Sequence, residues 1–149
     1  MRIYETAADP AAVDTLIALS ADWEAEGSCH GYRKNGPEDI AGNRVWLAEE
    51  DGQTVGYLFG HLEKAAKTTT IMASDTPYFE IEELYVRPAR RSQGVGRALF
   101  AQAENQIRRE GEANFLMLST ATKNWKAILH FYLDEMDMQF WSARLFKRL

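Results

Sequence analysis

The stretch Leu84-Tyr85-Val86-Arg87-Pro88-Ala89-Arg90-Arg91-Ser92-Gln93-Gly94-Val95-Gly96-Arg97-Ala98-Leu99 decides how this chain folds. Its first residues close a strand-like run from about Tyr78 to Val86, which stops at a proline that cannot continue a ladder. Its last residues open a helix-like run from Gln93 to Glu110. There Val95, Leu99, Ala103 and Ile107 recur as one stripe, Arg97, Gln102, Glu104 and Arg108 are free to face water, and Gly111 ends the segment. Gly94 and Gly96 carry no Cβ, so the turn between strand and helix can bring several backbone N–H groups close to an anion. The helix N-terminus adds its own unsatisfied donors and dipole. Such a turn suits a pyrophosphate, with Arg90, Arg91 and Arg97 available on its rim.

Downstream, Phe115 to Leu118 is a short apolar strand. It follows a helix that follows a strand, so it is predicted to lie parallel to that strand through a right-handed crossover. Trp125, Ile128, Leu129, Tyr132, Leu133 and Met136 form a regular helical stripe with Asn124 as candidate cap, and Gln139 to Leu149 reads as mostly strand-like. Upstream, residues 1–6 form a first strand. Asp9-Pro10 then starts a helix whose apolar positions include Val13, Leu16 and Ile17 and which stops at Gly27. Residues 27–43 form a loop with one short helix near Pro37 to Ile40. Asp51-Gly52 joins two further strands as a hairpin. The prediction is one mixed α/β (α+β) domain over residues 1–149, with antiparallel strands early and a βαβ unit late.

The composition agrees with a single domain. At 149 residues the chain can bury one sizeable core. No run approaches the roughly 18 apolar residues of a spanning helix, and acidic residues occupy the place of a signal peptide's apolar stretch. These features predict a cytoplasmic protein with no membrane partner. A lone cysteine, Cys29, excludes an internal disulfide and a Cys-rich zinc framework. His30, His61 and His130 show no ligand spacing and are read as structural or solvated, so no metal is expected. The net charge of −5 disfavours a nucleic-acid partner and mildly favours cationic or amine-bearing ones.

Phosphate-binding turns come in several kinds, and spacing separates them. Gly96-Arg97-Ala98 lacks the Lys-Ser/Thr of a Walker A loop, and Leu99 stands where a dinucleotide fingerprint wants a third small residue. Arg91-Ser92-Gln93-Gly94-Val95-Gly96 instead resembles the Arg/Gln-x-x-Gly-x-Gly/Ala signature of the GNAT N-acetyltransferase superfamily. The helix Asn124-Trp125-Lys126-Ala127-Ile128-Leu129-His130-Phe131-Tyr132 is similar to that family's Asn-x-x-Ala-x-x-x-Phe-Tyr motif. The order of elements agrees with the family from end to end. One departure is Asp137-Met138, where the family commonly has Gly-Phe, so that turn must form without glycine.

The resemblance implies a mixed central sheet whose parallel βαβ splay holds acetyl-CoA, and direct acetyl transfer to a primary amine without metal. It implies that the backbone of Leu84, Tyr85 and Val86 holds the pantetheine arm and that the amides of Gln93, Gly94, Val95, Gly96 and Arg97 hold the pyrophosphate, with Arg91 and Ser92 also among the cofactor-binding residues. Asn124 would be a pantetheine contact, a cap, or both. Tyr132 is a core tyrosine by periodicity and a proton donor to the departing thiolate by resemblance. Alternation places Glu80 and Glu82 on one strand face and Glu83 on the other. Glu82 is the first choice for the base that deprotonates the amine, with Glu80 and Glu83 as substitutes and a bulge as the feature that would disturb the pattern. Trp23 or Tyr32 would line an acceptor pocket, while the four tryptophans are otherwise read as core. The predicted acceptor is a small cationic metabolite or antibiotic. A protein or peptide amine, and a non-catalytic acyl-CoA sensor, stand as alternatives. Homodimerisation through the apolar C-terminal strand is a further expectation.

Overall fold

A computed structural model describes all residues from Met1 to Leu149. Strand β1 (Arg2–Thr6) leads to helix α1 (Pro10–Glu26), where Asp9 caps the N-terminus by accepting a hydrogen bond from the Ala12 N–H at 2.9 Å. Gly27 ends the helix at φ 61°, a left-handed conformation that glycine adopts without steric cost. The short helix α2 (Pro37–Ile40) lies in the following loop, as its proline and acidic residues predict. Strands β2 (Arg44–Glu50) and β3 (Gln53–Lys64) form the expected hairpin, and Asp51 and Gly52 both take positive φ at its tip. Strand β4 (Pro77–Val86) runs into a single 3-10 turn (Pro88–Arg90) and then helix α3 (Val95–Glu110). Strand β5 (Phe115–Met117) and helix α4 (Trp125–Leu129) complete the regular elements, and α4 continues as a π-helical segment over His130–Glu135. No helix is long and apolar enough to cross a membrane.

The sheet order is β1-β2-β3-β4-β5, antiparallel throughout except for the parallel β4–β5 pair. Helices cover both faces, which is why Val45, Trp46, Leu47 and Ala48 of β2 are all buried rather than alternating. On one face Trp46, Ala48 and Leu58 pack against Val95, Leu99, Phe100, Ala103 and Ile107 of α3, the stripe that the sequence marks. On the other, Val45, Leu47, Tyr57 and Phe59 pack against Leu16 and Leu19 of α1 and Ile40 of α2.

Four expectations need correction. Residues 139–149 form no strand and join no ladder, and Phe140, Trp141, Leu145 and Phe146 are exposed. Two of the tryptophans read as core are therefore not: Trp141 lies on this tail, and Trp125 is 57% exposed. The stripe from Trp125 to Met136 is not one regular helix, because the change from α to π winding after Leu129 shifts which side chains share a face. Asn124 occupies the N-cap position of α4, yet its side chain makes no capping bond. At the Asp137 turn the sequence reading holds, since Asp137 takes φ 57° where glycine was missing.

Candidate active site

Strand β5 pairs with β4 only from Tyr78–Phe115 to Glu80–Met117. From Ile81 to Val86 the edge of β4 facing β5 has no strand partner, so the two parallel strands splay apart. Leu84, Tyr85 and Val86 are held on their other edge by Leu58, Tyr57 and Gly56 of β3. The splay opens toward the turn that starts α3. Here Ser92 (φ 59°) and Gly94 (φ 86°) are both left-handed, which curls the backbone into a concave run of amides. The N–H groups of Ser92, Gln93, Gly94, Val95, Gly96 and Arg97 have no acceptor anywhere in the protein. A row of unsatisfied donors at the N-terminus of a sixteen-residue helix is a fit for a phosphate-bearing group. Gly96 adds room of its own: a Cβ there would meet Phe131 and Val86 at an ordinary 3.6 Å, so packing within the protein does not demand glycine.

The three arginines of this turn have different fates. Arg90 is paired with Glu50 at 2.7 Å. Arg91 is paired with Glu26 at 2.9 Å and also donates to the Val86 carbonyl. Arg97 is exposed and joins no ion pair, so of the three it alone is without a carboxylate partner. The Arg91 side chain, placed on the rim by the sequence reading, here braces the turn against α1 through Glu26.

Phe131 lies against Gly96, and Tyr132 beside it packs on Phe100 of α3. Tyr132 packs against the same apolar cluster as Leu84 and Val86 of β4. Burial pushes its phenol up to about 12, and no hydrogen bond contributes to that shift. The hydroxyl thus stays protonated throughout the physiological range and has no partner within the protein.

The three glutamates of β4 share a region that alternation would have divided. Glu83 pairs with Phe59 and Ile81 with Gly60, so Glu82 has no residue opposite it and forms a bulge. Gly60 permits that bulge, since a Cβ on it would lie 2.1 Å from the Glu80 carbonyl. Before the bulge, Phe79 and Ile81 face α3; after it, Leu84 and Val86 do, while Tyr85 faces α1. Glu83 is thereby carried to the side of Glu82, and both line a cleft of about 580 Å³ with Glu38, Asp39 and His61. No lysine or arginine lines it. The Glu82 carboxylate is 45% exposed and lies 3.7 Å from His61 Nδ1. Burial, then repulsion from Glu82, raises the Glu80 pKa.

Glu83 occupies a different setting. It accepts hydrogen bonds from Tyr57 (2.6 Å), Tyr32 (3.2 Å) and the Asn35 amide (3.0 Å). Burial raises its pKa, and the three donors oppose that shift. Tyr32 also packs on Trp23 with ring centroids 4.3 Å apart. Nothing in the sequence singles out Tyr57 or Asn35. They meet Glu83 only because β3 pairs with β4 and the long loop folds back over the sheet.

A profile of the Acetyltransferase (GNAT) family matches residues 13–136. Among solved structures, the BH1408 protein from Bacillus halodurans, as a tetramutant, superposes with a TM-score of 0.75 at 18% identity over 100% of both chains. An aminoglycoside acetyltransferase from an uncultured soil metagenomic sample, in complex with sisomicin, gives 0.68 at 20% identity, covering 99% of this chain and 95% of that one. The aminoglycoside N-acetyltransferase AAC(6')-Iy in complex with CoA gives 0.67 at 16% identity over 99% and 98%. No curated protein matches by sequence.

Proposed function

The chain belongs to the acetyltransferase (GNAT) family, and from that premise we propose that it moves an acetyl group from acetyl-CoA to a primary amine of a small cationic molecule. The observation that carries this reading is the cleft at the β4 bulge, where Glu38, Asp39, Glu82 and Glu83 converge without a lysine or arginine. Carboxylates gathered in a concave site attract and orient cations. The similarity to aminoglycoside acetyltransferases supports the same substrate class.

In this proposal the amides of Ser92 to Arg97 hold the pyrophosphate of acetyl-CoA, the open edge of Leu84, Tyr85 and Val86 holds the pantetheine arm, and the uncapped side chain of Asn124 adds a polar contact. Acetyl-CoA supplies the activated acetyl thioester. Transfer needs a neutral amine, whereas an alkylammonium of pKa about 10.4 is almost wholly protonated at neutral pH. Glu82 takes that proton, directly or through water. Its oxygens are free to do so, unlike those of Glu83, which already accept three protein donors. Tyr132 donates a hydrogen bond to charge developing on sulfur. A phenol near 12 does not give its proton fully to a thiolate of pKa about 8.5, so stabilisation by the hydrogen bond is the larger part of its role. Positioning of the two substrates and backbone donors supply the rest.

Two copies of the chain join through residues 139–149 in this reading. Leu145 is 95% and Phe146 72% exposed, which is more apolar surface than a short segment keeps in water unassisted. The segment carries Arg144, Lys147 and Arg148 and no acid, while residues 1–138 hold all 22 acids against 14 basic residues. A basic apolar tail thus complements an acidic body.

The test is free-thiol release from acetyl-CoA across polyamines, aminoglycosides, amino acids and short peptides, with Tyr132→Phe beside the wild type. Release with one class of small polycation supports the proposal. Release with peptides alone moves the acceptor to a protein amine, and silence despite tight acetyl-CoA binding makes the chain a cofactor sensor.

A further inference from the structure

The loop between α1 and α2 reaches the sheet by bonds concentrated on one carboxylate. Tyr32 and Asn35 lie on that loop and both donate to Glu83, while Tyr57 donates to the same group from β3. Two other ties are local: the Asn35 N–H donates to the buried Ser20 hydroxyl at 2.9 Å, and the Lys34 N–H to Glu24 at 2.7 Å. At its far end the loop bridges to the segment after β5, through Cys29 opposite Thr122 and the His30 N–H on the Ala121 carbonyl. The acid cleft is bounded by Asn35, Glu38, Asp39 and residues 41–43 on one side and by Glu82 and Glu83 on the other. Its width therefore depends on how firmly the loop is held to β4.

We infer that Glu83 is a positioning residue for the acceptor: by gathering Tyr32 and Asn35 onto β4 it fixes the distance between the loop wall of the cleft and Glu82. Glu83 is less suited than Glu82 to act as the base, because both its oxygens already accept from three donors fixed on two separate elements. Each charge-assisted bond to it is stronger than a neutral one, so the carboxylate holds the loop where an amide would hold it less well. The inference rests on the proposed acetyl transfer for its kinetic consequence and on geometry alone for its structural one.

Two measurements keep these apart. In steady-state assays at saturating acetyl-CoA with spermidine and with sisomicin, Glu83→Gln and Tyr32→Phe should each raise the amine KM at least fivefold, with kcat and the KM for acetyl-CoA within twofold. The double variant should be no worse than the more severe single one, since both cut the same tie. In hydrogen exchange on the free protein, the N–H groups of residues 28–36 should exchange at least fivefold faster in either variant, with β2 and β3 unchanged. A fall in kcat without a change in amine KM would make Glu83 the base and overturn the inference, and so would unchanged exchange in the loop. If wild type acetylates neither amine, the proposed acceptor class fails, and the exchange experiment still decides the role of Glu83.

Discussion

Tyr132 and the glutamates of β4 show how little a residue's type says of its role until its neighbours are known. Tyr132→Phe removes one oxygen from a half-buried ring that hydrogen-bonds to nothing in the protein, so folding should be unaffected. Turnover should fall roughly 100-fold or more, with the KM for acetyl-CoA nearly unchanged. Because the phenol is pushed up to about 12, the loss should be the same at every pH from 6 to 10, and a loss confined to one limb of the profile would remove Tyr132 from the acid role. Glu80 gives a pH prediction of the opposite kind. Its pKa in the folded protein is raised above 4.5, so folding favours its protonated form; that contribution is complete below about pH 4.5 and is lost as pH rises through the raised value. Glu80→Gln removes the penalty. The variant should be more stable than wild type at pH 7, and the advantage should vanish below pH 4.5 in denaturant titrations. Sequence alone ranked Glu82 first as the base, with Glu80 and Glu83 as substitutes. The bulge at Glu82 and the donors around Glu83 make them three different groups.

At the scale of elements, the strand-turn-helix unit was the most legible part of the chain. Strand end, proline, glycines and the α3 stripe each follow from local sequence, and the residues that form the unit are those expected, with the helix beginning at Val95 rather than Gln93. Its two glycines should separate folding from binding. Gly94 sits at φ 86°, so Gly94→Ala should cost the fold about 1–2 kcal/mol through backbone strain. Gly96 is in the first turn of α3 with ordinary space around it, so Gly96→Ala should leave thermal stability equal or higher. Both should weaken CoA binding in calorimetry. Undiminished affinity in Gly96→Ala would show that no group approaches the turn as closely as proposed. Helix α4 was less legible, because a change to π winding within it leaves the apolar spacing looking like one continuous stripe.

For the whole molecule, the tail is the decisive segment. A chain ending at Met138 keeps both apolar clusters, whose members all precede Gln139. It should therefore fold with an unchanged circular dichroism spectrum. Light scattering should give twice the 16.9 kDa chain mass for the full protein and a single chain's mass for the truncated one; a full-length monomer at micromolar concentration would end the dimer proposal. Sequence by itself determined the class of fold, the order of its elements, the glycine turn before α3 and the motifs of the family, because each depends on periodicity, caps and glycine over a few adjacent residues. The tertiary structure decided which glutamate is free and which is bound, which arginine is left unpaired, where the loop of residues 27–43 lies against the sheet, and that the last eleven residues stay outside the core. Those outcomes depend on pairing and packing between segments distant in the chain, such as Tyr32 and Tyr57 with Glu83 or Arg91 with Glu26. Nothing in the local sequence encodes a distance of that kind.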